Sequence, residues 1–144
     1  MNLTLGVNPV SSENADPLNQ ALKFLNEGLY EEALNEATGL LKQDLPKLSR
    51  SSLQFILGAS KNELGRPNEA ILNFLEGSAI INGENQPAML GHFQDELAQI
   101  LFKSRNLNAS LFFTEMAISN FELAGNAEMV DSCKKLKEAL LWEL

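Results

Sequence analysis

His92, Asp95 and Glu96 stand within five residues of one another. Side chains three and four apart on a helix share a face, and an imidazole beside carboxylates is a usual pairing for general acid–base work. Helix surfaces also carry such neighbours with no chemistry attached, and that plainer reading is favoured here. His92 is the single histidine and Cys133 the single cysteine. A lone imidazole cannot supply the nitrogen and sulfur ligands of a zinc site. Cys133 has no partner for an internal disulfide and reads as a small buried hydrophobe. Gly28, Gly58, Gly65 and Gly77 stand singly, so no glycine-rich phosphate loop is formed. Glu31-Glu32 and Lys134-Lys135 read as solvated helix faces. No catalytic residue, no metal ligand and no cofactor is expected.

The chain as a whole is acidic. Its 144 residues carry a net charge of −8, with 44% hydrophobic and 21% charged residues. Nucleic acid and anionic membrane surfaces both call for clustered Lys and Arg, so neither is an expected partner. No apolar run approaches the roughly 18–20 residues needed to cross a bilayer. The first residues lack the basic start and apolar stretch of a signal peptide, and one free cysteine suits a reducing cytoplasm.

Helical signals fill the rest. Residues 1–15 read as a mobile polar tail, and 16–144 as one helical domain. Asp16-Pro17 is a cap followed by a first-turn proline. The spacing of apolar residues predicts helices over about 17–27, 30–44, 48–64, 67–81, 87–105, 107–123 and 127–144. Gly65-Arg66-Pro67 is a stop followed at once by a start: glycine favours the left-handed ending of one helix, and proline the first turn of the next. Phe112 and Phe113 cannot both face the core, since adjacent helical residues are about 100° apart. Trp142 falls off the stripe of Met129, Cys133, Leu136, Leu140 and Leu144; it either packs at the chain end or meets another molecule.

The hairpins repeat. Small residues stand at Ala21 and Ala33, at Gly58 and Ala70, and at Ala98 and Ser110, twelve apart each time. Seven residues after the first of each pair comes the turn, at Gly28, Gly65 and Arg105. A constant internal spacing marks a repeated unit, and small residues allow two helix axes to approach closely.

These positions resemble the tetratricopeptide repeat (TPR) family. The second unit carries Leu57-Gly58, Gly65, Ala70 and Phe74; the first Ala21, Phe24, Gly28, Tyr30 and Ala33; the third Leu97-Ala98, Leu107, Ser110 and Ala117. The chain departs from the family pattern in three respects. No tryptophan opens the first helices, and the turns are 37 and then 40 residues apart where about 34 is usual. Arg105 and Thr114 also stand where glycine and an aromatic are typical. The resemblance implies an all-α, right-handed superhelix of three helical hairpins closed by a C-terminal capping helix.

It also implies a concave groove lined by the first helix of each hairpin. The residues placed there are Leu18, Leu22, Leu25 and Asn26; Ser52, Phe55, Ala59, Asn62 and Glu63; and His92, Asp95, Gln99, Phe102 and Lys103. Leu22, Leu25, Phe55 and Phe102 are expected to be partly exposed. Some family members clamp the C-terminal carboxylate of heat-shock chaperones with Lys, Asn and Arg at such places. Here leucine stands in place of the first clamp lysine and asparagine and Lys103 is the one base, so that partner is not expected. An apolar peptide or helix segment of another protein suits the strip better.

A narrower likeness lies in Phe74-Leu75-Glu76-Gly77-Ser78, followed by Pro87 and His92. It looks like part of the chaperones that hold translocator proteins in bacterial type III secretion, which are small, acidic, cytoplasmic proteins that bind an apolar client segment. The resulting expectation is a non-catalytic protein-binding module, acting as a secretion-type chaperone or adaptor. A second reading is a structural subunit that forms homo-oligomers through its termini. A third, a small helical enzyme, has no constellation of residues behind it.

Overall fold

The computed structural model describes residues 17–144. The expected tail over 1–15 and the Asp16 cap lie outside them. Among the described residues there are seven helices and no strand: α1 (Pro17–Asn26), α2 (Tyr30–Leu40), α3 (Lys47–Glu63), α4 (Pro67–Ile81), α5 (Pro87–Lys103), α6 (Leu107–Ala124) and α7 (Ala127–Glu143). The chain up to Ile81 gathers α1–α4 into one compact unit, and Asn82–Leu144 gathers α5–α7 into a second.

The stop at Gly65 has a simple physical form. Gly65 adopts φ +79°. Its N–H bonds the Asn62 carbonyl at 3.1 Å, and the Arg66 N–H bonds the Lys61 carbonyl at 2.8 Å. This paired closure satisfies two carbonyls that the end of α3 would otherwise leave open. Pro67 then begins α4. The same pair of bonds closes α1 at Gly28, α6 at Gly125 and α5 at Arg105. Arg105 holds φ +66° despite its side chain, a conformation that L-residues with a Cβ disfavour. Its guanidinium reaches Glu143 at the far end of α7, 2.8 Å away. The departure at the third turn is thus one of residue and not of geometry.

The small residues meet where the twelve-residue spacing places them. Ala21, Ala33, Ala70, Ala98 and Ser110 are all fully buried. In the α5–α6 hairpin the Ser110 hydroxyl donates to the Ala98 carbonyl at 2.7 Å, so the two backbones run close together. In the α3–α4 hairpin, a Cβ added at Gly58 would stand 2.7 Å from the Phe74 ring. The α5–α6 hairpin makes the same ring-on-glycine contact at a different level. Thr114 takes the place of Phe74 and turns its hydroxyl to the Ser110 carbonyl. The ring is supplied seven residues later by Phe121, which covers Gly91.

Helix α7 starts on Asn126, whose Oδ1 accepts the Met129 N–H at 3.1 Å. That satisfies one of the four free N–H groups of a helix start. Cys133 then joins Ala117 and Phe121 in a buried cluster, flanked by Ile118, Met129 and Val130. Lys137 pairs with Glu115 of α6 at 3.4 Å. The last helix is in this way packed along α6 and covers its apolar side.

Candidate functional site

In the second unit, α5 and α7 leave an open cleft between them. Asp95, Gln99, Phe102 and Lys103 face it from α5, and Ser132 and Leu136 from α7, around a volume of about 250 Å³. Residues 95, 99, 102 and 103 share a face because their spacings of three and four are those of a helical stripe. Four residues that the sequence placed in a groove therefore converge.

Asp95 forms the floor and is only 7% exposed. Its Oδ2 accepts from Gln99 Nε2 at 3.0 Å and its Oδ1 from the Cys133 thiol at 3.6 Å. Burial pushes the carboxyl pKa up, and the two donors pull it back only in part. Burial first, and then the neighbouring Asp95 carboxylate, push the Cys133 thiol up to about 12. Cys133 is thus a protonated S–H donor at neutral pH, and not the thiolate that a nucleophile requires. Phe102 is a half-buried wall, while Gln99 and Lys103 stand exposed at the rim.

His92 and Asp95 have different partners. His92 directs its ring at Phe121, edge to face with centroids 5.0 Å apart. Burial lowers its pKa, so the imidazole is neutral. Asp95 instead serves α7. Among the described residues, no three His, Cys, Asp or Glu side chains are grouped to hold a metal ion.

The first unit treats the remaining groove residues differently. Leu22 and Asn26 border a recess of about 400 Å³ on α1, together with Asn19, Lys23 and Glu27. Leu18 and Leu25 are buried, and Ser52 and Phe55 are fully so. Ala59 and Asn62 are half-buried and Glu63 is exposed. The expected partial exposure of Leu22, Leu25 and Phe55 does not hold: they are 9%, 7% and 0% exposed. Phe55 packs its ring 5.3 Å from Phe74. The cause is topological, since α3 packs against α1, α2 and α4 together. Phe102 keeps the half-open setting expected of it.

The sequence reading does not place Ser132 and Leu136 in the groove, because it lines the groove with the first helix of each hairpin only. Leu136 belonged to the apolar stripe, and that stripe is wider than one packing partner requires. Trp142 is 91% exposed, so packing at the chain end is the alternative that falls. Phe112 is the member of its pair that points outward, at 59% exposure.

No family model matches this chain, and no curated protein matches its sequence. Among solved structures, it is similar to the type III secretion translocator chaperone SycD of Yersinia enterocolitica. The TM-score is 0.75 at 19% identity, covering 94% of this chain and 89% of that one. The fold is accordingly the all-helical, TPR-like fold of that chaperone. No helix among the described residues is long and apolar enough to cross a membrane.

Proposed function

We propose that this chain is a non-catalytic, chaperone-type binding protein of the cytoplasm that holds an apolar segment of a client protein. The observation that carries this reading is the α5–α7 cleft, where Phe102 and Leu136 offer apolar walls above the Asp95 floor. A cleft with apolar sides and a few placed polar groups suits one or two anchoring side chains. The shared fold with a translocator chaperone supports the same class of role. On the first unit, Leu22 and Asn26 of α1, with Ala59 and Asn62 of α3, are proposed as further contacts, and Leu18, Leu25 and Phe55 as the packing behind them. His92 is proposed to act from behind the cleft, by fixing α5 against Phe121.

The test is site-specific photo-crosslinking in the native cell with a benzophenone amino acid at Ser132. A specific client should be captured and identified by mass spectrometry. Phe102→Ala should then weaken that client's binding by more than about 1 kcal/mol in titration calorimetry, with helicity unchanged. Lys103→Ala should act mainly on the association rate, as a rim charge does. Unaltered binding of the client to the Phe102 variant would rule the cleft out.

A second reading has one observation behind it. Leu141 and Trp142 in the last turn of α7, and Leu144 just after it, are exposed, which suits an assembly contact. Under that reading, sedimentation should show an oligomer that Trp142→Ala dissociates.

A further inference from the structure

Three large apolar side chains of α6 stand exposed, with nothing among the described residues covering them. Phe112, Met116 and Leu123 are 59%, 37% and 78% exposed. Their offsets of four and seven residues keep them on one line along the helix, with the exposed Ser119 between the last two. The line is about 16 Å long at 1.5 Å per residue. Phe113 braces Phe112 edge to face, with centroids 5.4 Å apart, so the outward ring has a packed neighbour. Scattered exposed apolar residues need no explanation, but an aligned and supported row of them marks an interaction surface.

The surroundings of that row select its occupant. The eighteen residues of α6 include no Lys or Arg; of its two acids, Glu115 pairs with Lys137 of α7, and Glu122 has no ion pair of its own at that range among the described residues. At the C-terminal end of α6, its junction with α7 holds a recess of about 300 Å³. Phe121 and Val130 are among its apolar walls, and Glu122 and Asp131 line it with carboxylates. An aliphatic stem ending in a cation fits such a recess, with the stem on the apolar walls and the charge beside the acids. A second copy of this chain suits the face poorly. It would bring another −8 of net charge, and another Glu122, against the same row.

We infer that the outer face of α6 and the adjoining α6–α7 recess form a second docking surface, for a basic amphipathic helix of a partner protein. The helix lays its apolar side along Phe112, Met116 and Leu123, and places a Lys or Arg between Glu122 and Asp131. This surface is separate in its residues from the α5–α7 cleft, so one chain has room for a client and for a second, basic partner.

The test uses the full chain and two synthetic probes, an 18-residue amphipathic helix of Leu and Lys and its Leu and Glu counterpart. The Lys helix should bind one to one, at least tenfold tighter than the Glu helix, and its affinity should fall as salt is raised. Phe112→Ser with Met116→Ser should weaken the Lys helix at least tenfold. Glu122→Lys with Asp131→Lys should do the same, and because it touches only exposed carboxylates it keeps the test valid where the first pair disturbs folding. Phe102→Ala should leave the probe's affinity unchanged, which separates this surface from the client cleft. Equal affinity of both probes, or a Lys helix indifferent to the charge-reversed variant, would overturn the proposal. So would a wild-type dimer that Phe112→Ser dissociates, since the occupant would then be a second copy.

Discussion

Alanine at Gly58 should destabilise this protein, although alanine is the better helix former. The new Cβ would lie 2.7, 2.8 and 2.9 Å from three atoms of the Phe74 ring. Carbon atoms in contact prefer about 3.5–4.0 Å, so the ring must retreat by roughly 1 Å. It has little room to move, because Phe74 is fully buried and its ring also packs against the fully buried Phe55, with centroids 5.3 Å apart. Overpacking of a core costs about 1–3 kcal/mol, and a rigid ring with a rigid neighbour belongs in the upper half of that range. Replacing a helical glycine returns about 0.5–1 kcal/mol, which leaves a net loss of about 1–2 kcal/mol. Gly39 in α2 is the internal control. Nothing lies within 4 Å of a Cβ built there, so Gly39→Ala should stabilise by up to about 0.5–1 kcal/mol. The assay is urea unfolding followed by far-ultraviolet circular dichroism, with the midpoint and slope compared for both variants. A Gly58 variant as stable as the parent, or two variants that shift in the same direction, would refute the close approach of α3 and α4.

Three further expectations rest on separate observations. Phe55→Ala should cost about 3–5 kcal/mol, the usual loss for a buried aromatic, and show as a lowered melting temperature; a normal melt would mean that Phe55 is not core. Asn126→Ala should cost about 1 kcal/mol through loss of the cap on α7, measurable in the same urea titration. His92 and Asp95 should give pH dependences of opposite sign. The His92 pKa is depressed from its ordinary 6.5, so its contribution is present above that value and lost as pH falls below it; His92→Gln should flatten the loss of melting temperature between about pH 7 and pH 5. The Asp95 pKa is raised, so its contribution is present below the ordinary carboxylate pKa and lost as pH rises; Asp95→Asn should melt higher than the parent at neutral pH.

Much of this fold was legible in the order of residues because its signals are local. Gly65 followed by Pro67 ends one helix and begins the next through backbone preferences that need no tertiary partner. The twelve-residue spacing of Gly58 and Ala70, or of Ala98 and Ser110, follows from helix geometry and a short turn. The α5 half of the cleft was legible for the same reason, since Asp95, Gln99, Phe102 and Lys103 share a face on any helix.

What the sequence could not decide was which face meets which neighbour. Phe55 and Phe102 fall on the same face of their helices but two turns apart in the repeat: Phe55 matches Asp95 and both are buried, while Phe102 matches Asn62 and both are half open. Phe121 replaces the ring missing at Thr114 from a position two turns away, and only the approach of Gly91 makes that substitution work. Arg105 keeps a glycine's backbone conformation while its side chain bonds a residue 38 positions on. The second wall of the cleft, Ser132 and Leu136, comes from a helix whose local pattern shows an apolar stripe but not which neighbours that stripe meets. Periodicity along a chain encodes which side of a helix is apolar; the burial of that side depends on how many other helices arrive there, and that is a property of the assembled structure.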